Sequence, residues 1–306
     1  MKGPAGRPRM VLCVGEPLIA LVPTGGADLA AADRLDVMTG GAELNVAVHL
    51  ARRGQPVRFG GLVGDDPWGR KLRAVLVGEG VDASALGAHP SLPTGIYVKD
   101  VSDGRSVMHY YRQGSAASAL ENLPAGAFEA VDHVHLTGIT PALSASCQRV
   151  VADVAAPGRH YAVSFDVNFR PALWPAAEAA PVLCHLAELA DVVFVGLDEA
   201  RALWGCRDAG AVRSLLEDVP ELVVKDGPDA AVSFTNGGTV AARPGRLPVV
   251  DAVGAGDAFA AGYLVARWQG ASAAEALGSG HELAAAVLGS YGDHGAAAPP
   301  AAGIGR

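Results

Sequence analysis

In ELNVAVHLARRG, apolar residues at 44, 47, 48 and 51 follow the i, i+3, i+4, i+7 spacing of an amphipathic helix, and Gly54 stands where a helix-ending glycine belongs. DDPWGRKLRAVLVGEG predicts a second helix, with Asp66 as N-cap, Pro67 at the first helical position and Gly80 at its end. Dense apolar runs predict buried strands at RMVLCVG, VRFGGLVG, HVHLTGI, YAVSFDVNF, DVVFVGL and LVVKDG. Helical spacers lie between most of them. That rhythm predicts a mainly parallel sheet covered by helices on both faces. Two segments, from about 18–38 and 93–113, carry strand patterns with turns and no helix between them. In the second, SDG joins two strands as a hairpin. Together they predict a small antiparallel sheet beside the carboxyl ends of the parallel one, where it would act as a lid.

Composition narrows the classes. Half of the 306 residues are hydrophobic, ample for a folded core. The net charge of −8 argues against a general nucleic-acid surface, which needs a basic face. Cys13, Cys147, Cys184 and Cys206 form no CxxC pair and read as reduced thiols of a cytoplasmic protein. The N-terminal run MVLCVGEPLIALV is broken by Gly15-Glu16-Pro17 after five residues, too short for an export signal or a membrane span. One domain over 1–296 is expected, followed by an Ala/Gly/Pro tail at 297–306 that reads as disordered.

Several common nucleotide and metal motifs are missing. There is no Gly-Lys pair for a GxxxxGK[ST] loop, GxGxxG fails at Phe259, and no HExxH occurs. The chemistry concentrates instead in DAVGAGDAFAAGYL, from Asp251 to Leu264. Gly254 and Gly256 permit torsions barred to other residues and let a ligand approach the main chain. The run after Asp257 has helical spacing at Phe259, Tyr263 and Ala266. A helix N-terminus attracts an anion such as a transferring phosphoryl group. A carboxylate beside it can take a proton from an attacking hydroxyl. An ordinary N-cap aspartate after a glycine loop fits the same residues. In SFDVNFR, alternation puts Asp166, Asn168 and Arg170 on one side and Phe165, Val167 and Phe169 on the other. Three polar residues leaving a buried strand need a liganded or solvated destination. His133 and His135 share a strand face, which packing explains better than a metal.

DAVGAGDAFAAGYL, together with GGAELNVAVHLARRG and GLVGDDPWGRKL, resembles the signatures of the ribokinase-like (PfkB) carbohydrate kinases, and the likeness spans about residues 10 to 295. It implies an α/β ribokinase-like fold: a predominantly parallel sheet, helices on both faces and a small β-sheet lid. Asp257 would be the catalytic base and Gly254, Ala255 and Gly256 the anion-hole amides. Gly40, Gly41 and Asn45 would hold sugar hydroxyls. Within the family, VGEPLIALVP, YYRQGSAASAL, HLTGITPALS, DVNFRPALW and GDHGA are most similar to 2-keto-3-deoxygluconate kinases. That implies Tyr97, Tyr110, Arg112, Arg170 and Asp293 on a sugar acid. An arginine suits a carboxylate better than a lysine does, although Tyr-Tyr-Arg on a ribbon also fits a rim or dimer contact. Asn168, Arg170, Glu199, Lys225, Gly227, Gly254, Gly256 and His281 would face ATP. Asp166 and Glu199 would stand near magnesium and phosphate, with a monovalent cation also admitted.

The chain departs from the family's pattern at Gly196, where an asparagine is usual before Glu199, at Ala230, and at His281. The implied reaction is direct in-line phosphoryl transfer to the primary hydroxyl of 2-keto-3-deoxygluconate. Alternatives are a fructokinase, a ribokinase or a related deoxy-keto-acid kinase, and a non-catalytic sugar-acid sensor on the same fold. The partners expected are a sugar acid and ATP, with no nucleic acid or membrane, in a homo-oligomer of at least two copies.

Overall fold

The computed structural model describes residues 8–26, 28–102, 105–245, 253–289 and 294. Strand β1 (Val11–Val14) leads into β2 (Leu18–Pro23), β3 (Leu35–Gly40) and helix α1 (Ala42–Arg52). Next come β4 (Val57–Gly64), α2 (Pro67–Gly78), β5 (Leu86–His89), β6 (Ile96–Ser102) and β7 (Arg105–Tyr111). The alternating part continues as β8 (His133–Thr137), α3 (Ala145–Ala155), β9 (Ala162–Asp166), α4 (Ala176–Glu188), β10 (Val192–Gly196), α5 (Leu197–Trp204) and α6 (Ala209–Leu215). The order closes with β11 (Glu221–Asp226), β12 (Ala230–Thr235), β13 (Gly238–Ala242), α7 (Ala255–Trp268) and α8 (Ala273–Leu288).

Helix boundaries follow the local chemistry. Asp66 caps α2 through the Gly69 N–H, with Pro67 at the first position. Gly54 and Gly80 carry positive φ just beyond α1 and α2.

Among the described residues, nine strands form the large sheet in the order β13-β12-β11-β10-β9-β8-β1-β4-β5. It is parallel from β11 to β5, and only the β12 and β13 edge is antiparallel. Alternate strand residues face opposite cores. Leu12 and Val14 pack with α3, α4, α5 and α6, whereas Val11 and Cys13 pack with α1, α2 and α7. The chain leaves β1 for β4 on one side and returns as β8 on the other. In open α/β sheets such a reversal, here beside the carboxyl ends of β1 and β8, is where ligands bind.

The small sheet runs β3-β2-β6-β7. It is mixed rather than antiparallel: β2 pairs with β3 and β6 with β7 as hairpin neighbours, but β2 and β6 are parallel. The two hairpins leave the large sheet in the same sense, so their inner strands meet side by side in one direction. Ser102 pairs with Arg105, as a two-residue hairpin requires. The expected turn residues Asp103 and Gly104, Asp293 and the 297–306 tail lie outside the described residues. No described helix is long and apolar enough to cross a membrane.

Candidate active site

Gly254 takes φ 79° and ψ −8° as the N-cap of α7, a left-handed conformation that glycine adopts without penalty. The first backbone bond inside α7 runs from Ala258 N–H to the Gly254 carbonyl. The N–H groups of Ala255, Gly256 and Asp257 therefore have no acceptor within the helix, the arrangement that suits an anion at a helix N-terminus. Two expectations change. Gly256 has no positive φ, because it already lies inside the helix. Asp257 is the third helical residue, not the N-cap, so the ordinary capping reading does not apply.

Asp257 is 8% exposed. Asn45 Nδ2, from α1, donates to its Oδ2 at 2.7 Å, and Asn168 Nδ2 approaches Oδ1 at 3.5 Å. Burial raises the Asp257 pKa to about 7; the Asn45 hydrogen bond opposes that rise, the nearby Asp166 charge adds to it, and Arg170 and Lys225 oppose it. A carboxylate poised near neutrality suits a general base.

Strand β9 ends at Asp166, short of the run expected to continue through Phe169. Asn168 follows at φ 40°, which turns the chain out of the sheet. The division into two sides survives that turn. Phe165, Val167 and Phe169 enter the core. Asp166 meets Lys225 Nζ at 2.7 Å, Asn168 reaches Asp257, and half-exposed Arg170 stands 3.6 Å from Glu199. Burial pulls the Lys225 pKa down, but the Asp166 and Glu199 carboxylates outweigh it and hold it above the ordinary lysine range. A side chain added at Gly256 would begin 3.6 Å from Lys225 Nζ, which places that ammonium beside the start of α7. Burial and the Asp166 charge push the Glu199 pKa up. In the absence of an asparagine at 196, the Gly196 N–H itself donates to Glu199 Oε2 at 2.8 Å.

Gly227 lies in the turn between β11 and β12, at φ 50°, and Lys225 pairs in register with Gly196 of β10. The expected nucleotide turn thus extends from the carboxyl end of the sheet. His281 is on α8, against the Phe259 ring at 5.1 Å, and its Nε2 lies 3.3 Å from the Ala242 carbonyl.

On the sugar side, Gly40 ends β3 and Gly41 caps α1 at φ 119°. Tyr97 and Tyr110 are cross-strand neighbours with ring centroids 5.8 Å apart. Arg112 is not an exposed ribbon residue. It is 7% exposed, lies past the end of β7, ion-pairs with Glu16 and stacks 5.4 Å over the Tyr110 ring.

These groups lie in two clusters, one around Asp257 and one around Arg112, with α1 between them: Asn45 reaches the first, and Glu43 feels the Arg112 charge of the second. The pfkB family of carbohydrate kinases matches residues 8–299. The chain belongs to that family. It is similar to the 2-dehydro-3-deoxygluconokinase of Thermoproteus tenax, 36% identical over 309 residues, covering 98% of this chain and 94% of that one. The Bacillus subtilis (strain 168) protein of the same name is 36% identical over 267 residues, covering 83% and 81%. A solved Vibrio cholerae O395 fructokinase double mutant, in a fructose-, ADP- and potassium-bound form, aligns with TM-score 0.80 and 26% identity, covering 94% and 95%.

The sequence reading of this PfkB kinase missed two buried acids. Glu16 is 1% exposed and accepts a hydrogen bond from Ser115 Oγ at 2.7 Å. Glu43 accepts from Thr137 and Thr140 at 2.7 Å each, and burial raises its pKa against those bonds. A charge at the end of a buried strand and an acid inside GGAELNVA were the available cues. His133 and His135 both bond the Ser164 hydroxyl at 2.8 Å within the core. Among the described residues, no group of three or more His, Cys, Asp or Glu is arranged to hold a metal. A depression lined by Arg9, Val192, Glu221 and Arg267 lies at the opposite, amino ends of the strands, away from this chemistry.

Proposed function

We propose that this PfkB kinase transfers the γ-phosphoryl group of ATP to the primary hydroxyl of 2-keto-3-deoxygluconate. The observation that carries the reading is Asp257, with its pKa raised to about 7, at the amino end of α7. Asp257 takes the proton of the attacking hydroxyl. The 254–256 amides face the charge that develops on the transferring group, with Lys225 and Arg170 as neighbouring cations. Asn45 orients the base. Gly40, Gly41, Tyr97, Tyr110 and Arg112 hold the sugar acid, with Arg112 on its carboxylate. Gly227 and His281 belong to the nucleotide side, and the small sheet excludes water as a lid.

Among the described residues, the buried Asp166 Oδ1 and Asn168 Oδ1 lack hydrogen-bond partners, and this all-oxygen donor set fits a magnesium ion. When bound there, near Asp166 and Glu199, magnesium supplies neutralisation of phosphate charge. The two relatives bearing the 2-dehydro-3-deoxygluconokinase name support the substrate. A fructokinase is the second reading, favoured by the fructose-bound neighbour. A coupled ADP-release assay over a panel of sugar acids and neutral sugars, with and without magnesium and potassium, decides between them. Turnover on fructose with none on sugar acids overturns the first reading.

We also read the chain as a homo-oligomer of at least two copies. Leu35, Val37, Val107 and Tyr111 are exposed and share one face of the small sheet, opposite to Tyr97 and Tyr110. Light scattering of wild type and Tyr111→Lys tests it.

A further inference from the structure

The chain crosses between its two sheets four times: at residues 15–17, at 41, at 95 and at 112–115. Glu16 meets all four crossings. It sits in the first. Its carbonyl lies so close to Gly41 that no Cβ fits there. At the third crossing, a Cβ on Gly95 would stand 2.6 Å from Oε1. At the fourth, Ser115 donates to Oε1 and Arg112 ion-pairs with Oε2.

Among the described residues, three polar atoms here have no hydrogen bond: Glu16 Oε2 and Arg112 Nη2, tied to each other by the ion pair alone, and Arg112 Nε. Buried polar atoms are normally satisfied, and an open guanidinium donor points to a ligand acceptor. The carboxylate fixes one edge of the guanidinium while the Tyr110 ring covers its face. That leaves a donor of set direction at the base of the small sheet.

We propose that Glu16 is a positioning residue for substrate specificity: it holds Arg112, and with it the base of the small sheet, in the orientation that receives a substrate carboxylate. The inference rests on the sugar-acid reading above. Glu16 does not touch the reacting atoms and acts through Arg112. Charge, rather than volume, is what it contributes.

Glu16→Gln keeps shape and the acceptor for Ser115 but removes the charge. The KM for 2-keto-3-deoxygluconate should rise about tenfold, the loss expected for one charge-assisted contact, with the KM for ATP unchanged and kcat within about twofold. Glu16→Asp keeps the charge one methylene shorter and should fall between wild type and Glu16→Gln. A residue that only fills space predicts the reverse order, and that order overturns the proposal. In an Arg112→Leu background, Glu16→Gln should leave the KM unchanged; an equal rise in both backgrounds also overturns it. Thermal midpoints of wild type, Glu16→Gln, Arg112→Leu and the double variant, without sugar, should be non-additive. Additive midpoints refute the hold of Glu16 on Arg112 whatever the substrate is. If wild type phosphorylates no sugar acid, the substrate reading fails while the thermal cycle still decides the pairing. If Glu16→Gln does not fold, Glu16→Asp carries the kinetic test, and a KM rise above about tenfold refutes the charge role.

Discussion

Asn45 donates to Asp257 at 2.7 Å across 212 positions of chain. One residue opens α1 after β3; the other opens α7, far along the sequence. Both are buried, and the hydrogen bond turns a carboxylate oxygen toward a fixed donor. The pairing joins the segment assigned to sugar hydroxyls with the base that would act on one of them.

Asp257→Asn keeps size and loses proton acceptance. Turnover should fall by about 10²–10⁴ with ATP binding retained. Steady-state kinetics and nucleotide titration measure this, and near-normal turnover removes Asp257 from the role of base.

The pH dependence has a definite sign. The folded Asp257 pKa of about 7 lies above its ordinary 3.8. The base works deprotonated, so kcat should rise with pH through about 7. For stability, the folded state keeps a proton that the unfolded chain has lost. The contribution of Asp257 is therefore complete below pH 3.8 and is lost as pH rises through about 7. Relative to wild type, Asp257→Asn should gain thermal midpoint across that window. A gap that stays constant with pH contradicts the raised pKa.

Asn45→Ala removes a donor that favours the ionised base. The acid limb of the kcat profile should move to higher pH. A limb that does not move shows that Asn45 serves the sugar alone.

Gly256→Val should fold, since among the described residues a Cβ at that position meets only Lys225 Nζ, at 3.6 Å. Its branched side chain nevertheless crowds the phosphate approach. Losing one donor of an anion hole costs about 10²–10³ in kcat. Normal kinetics in the folded variant count against the hole.

Arg112→Leu should lower kcat/KM for 2-keto-3-deoxygluconate about ten- to a hundredfold, and much less for fructose. The effect should persist in about 0.5 M salt, because Arg112 is buried and little screened. Equal losses on both sugars make Arg112 a structural residue. The variant also leaves Glu16 buried without its cation, so its thermal midpoint should drop.

Much of this was legible locally. A helix is announced by the spacing of Leu44, Ala47, Val48 and Ala51, and its end by Gly54, because both depend on neighbours within a turn or two. The same holds for Asp66 and Pro67 at α2, and for Gly254 ahead of α7. The two sides of SFDVNFR survive even though β9 ends at Asp166, since beyond the strand Val167 and Phe169 still bury apolar surface in the core while Asn168 reaches Asp257.

The sequence by itself therefore determined the buried strands β1, β4, β8, β9, β10 and β11, the helices α1 and α2, and a helix opening at Gly254 with a carboxylate in its first turn, but not the antiparallel β12–β13 edge or the end of β9 at Asp166. Tertiary structure alone decided that Asn45 meets Asp257, that Lys225 turns onto Asp166, that Glu16 holds Arg112, and that β2 and β6 run parallel. None of these has a local pattern, because each joins segments brought together by separate crossovers. The protonation behaviour of Asp257 belongs there too, since its first cause is burial, which exists only once α1, β9 and α7 have packed around it.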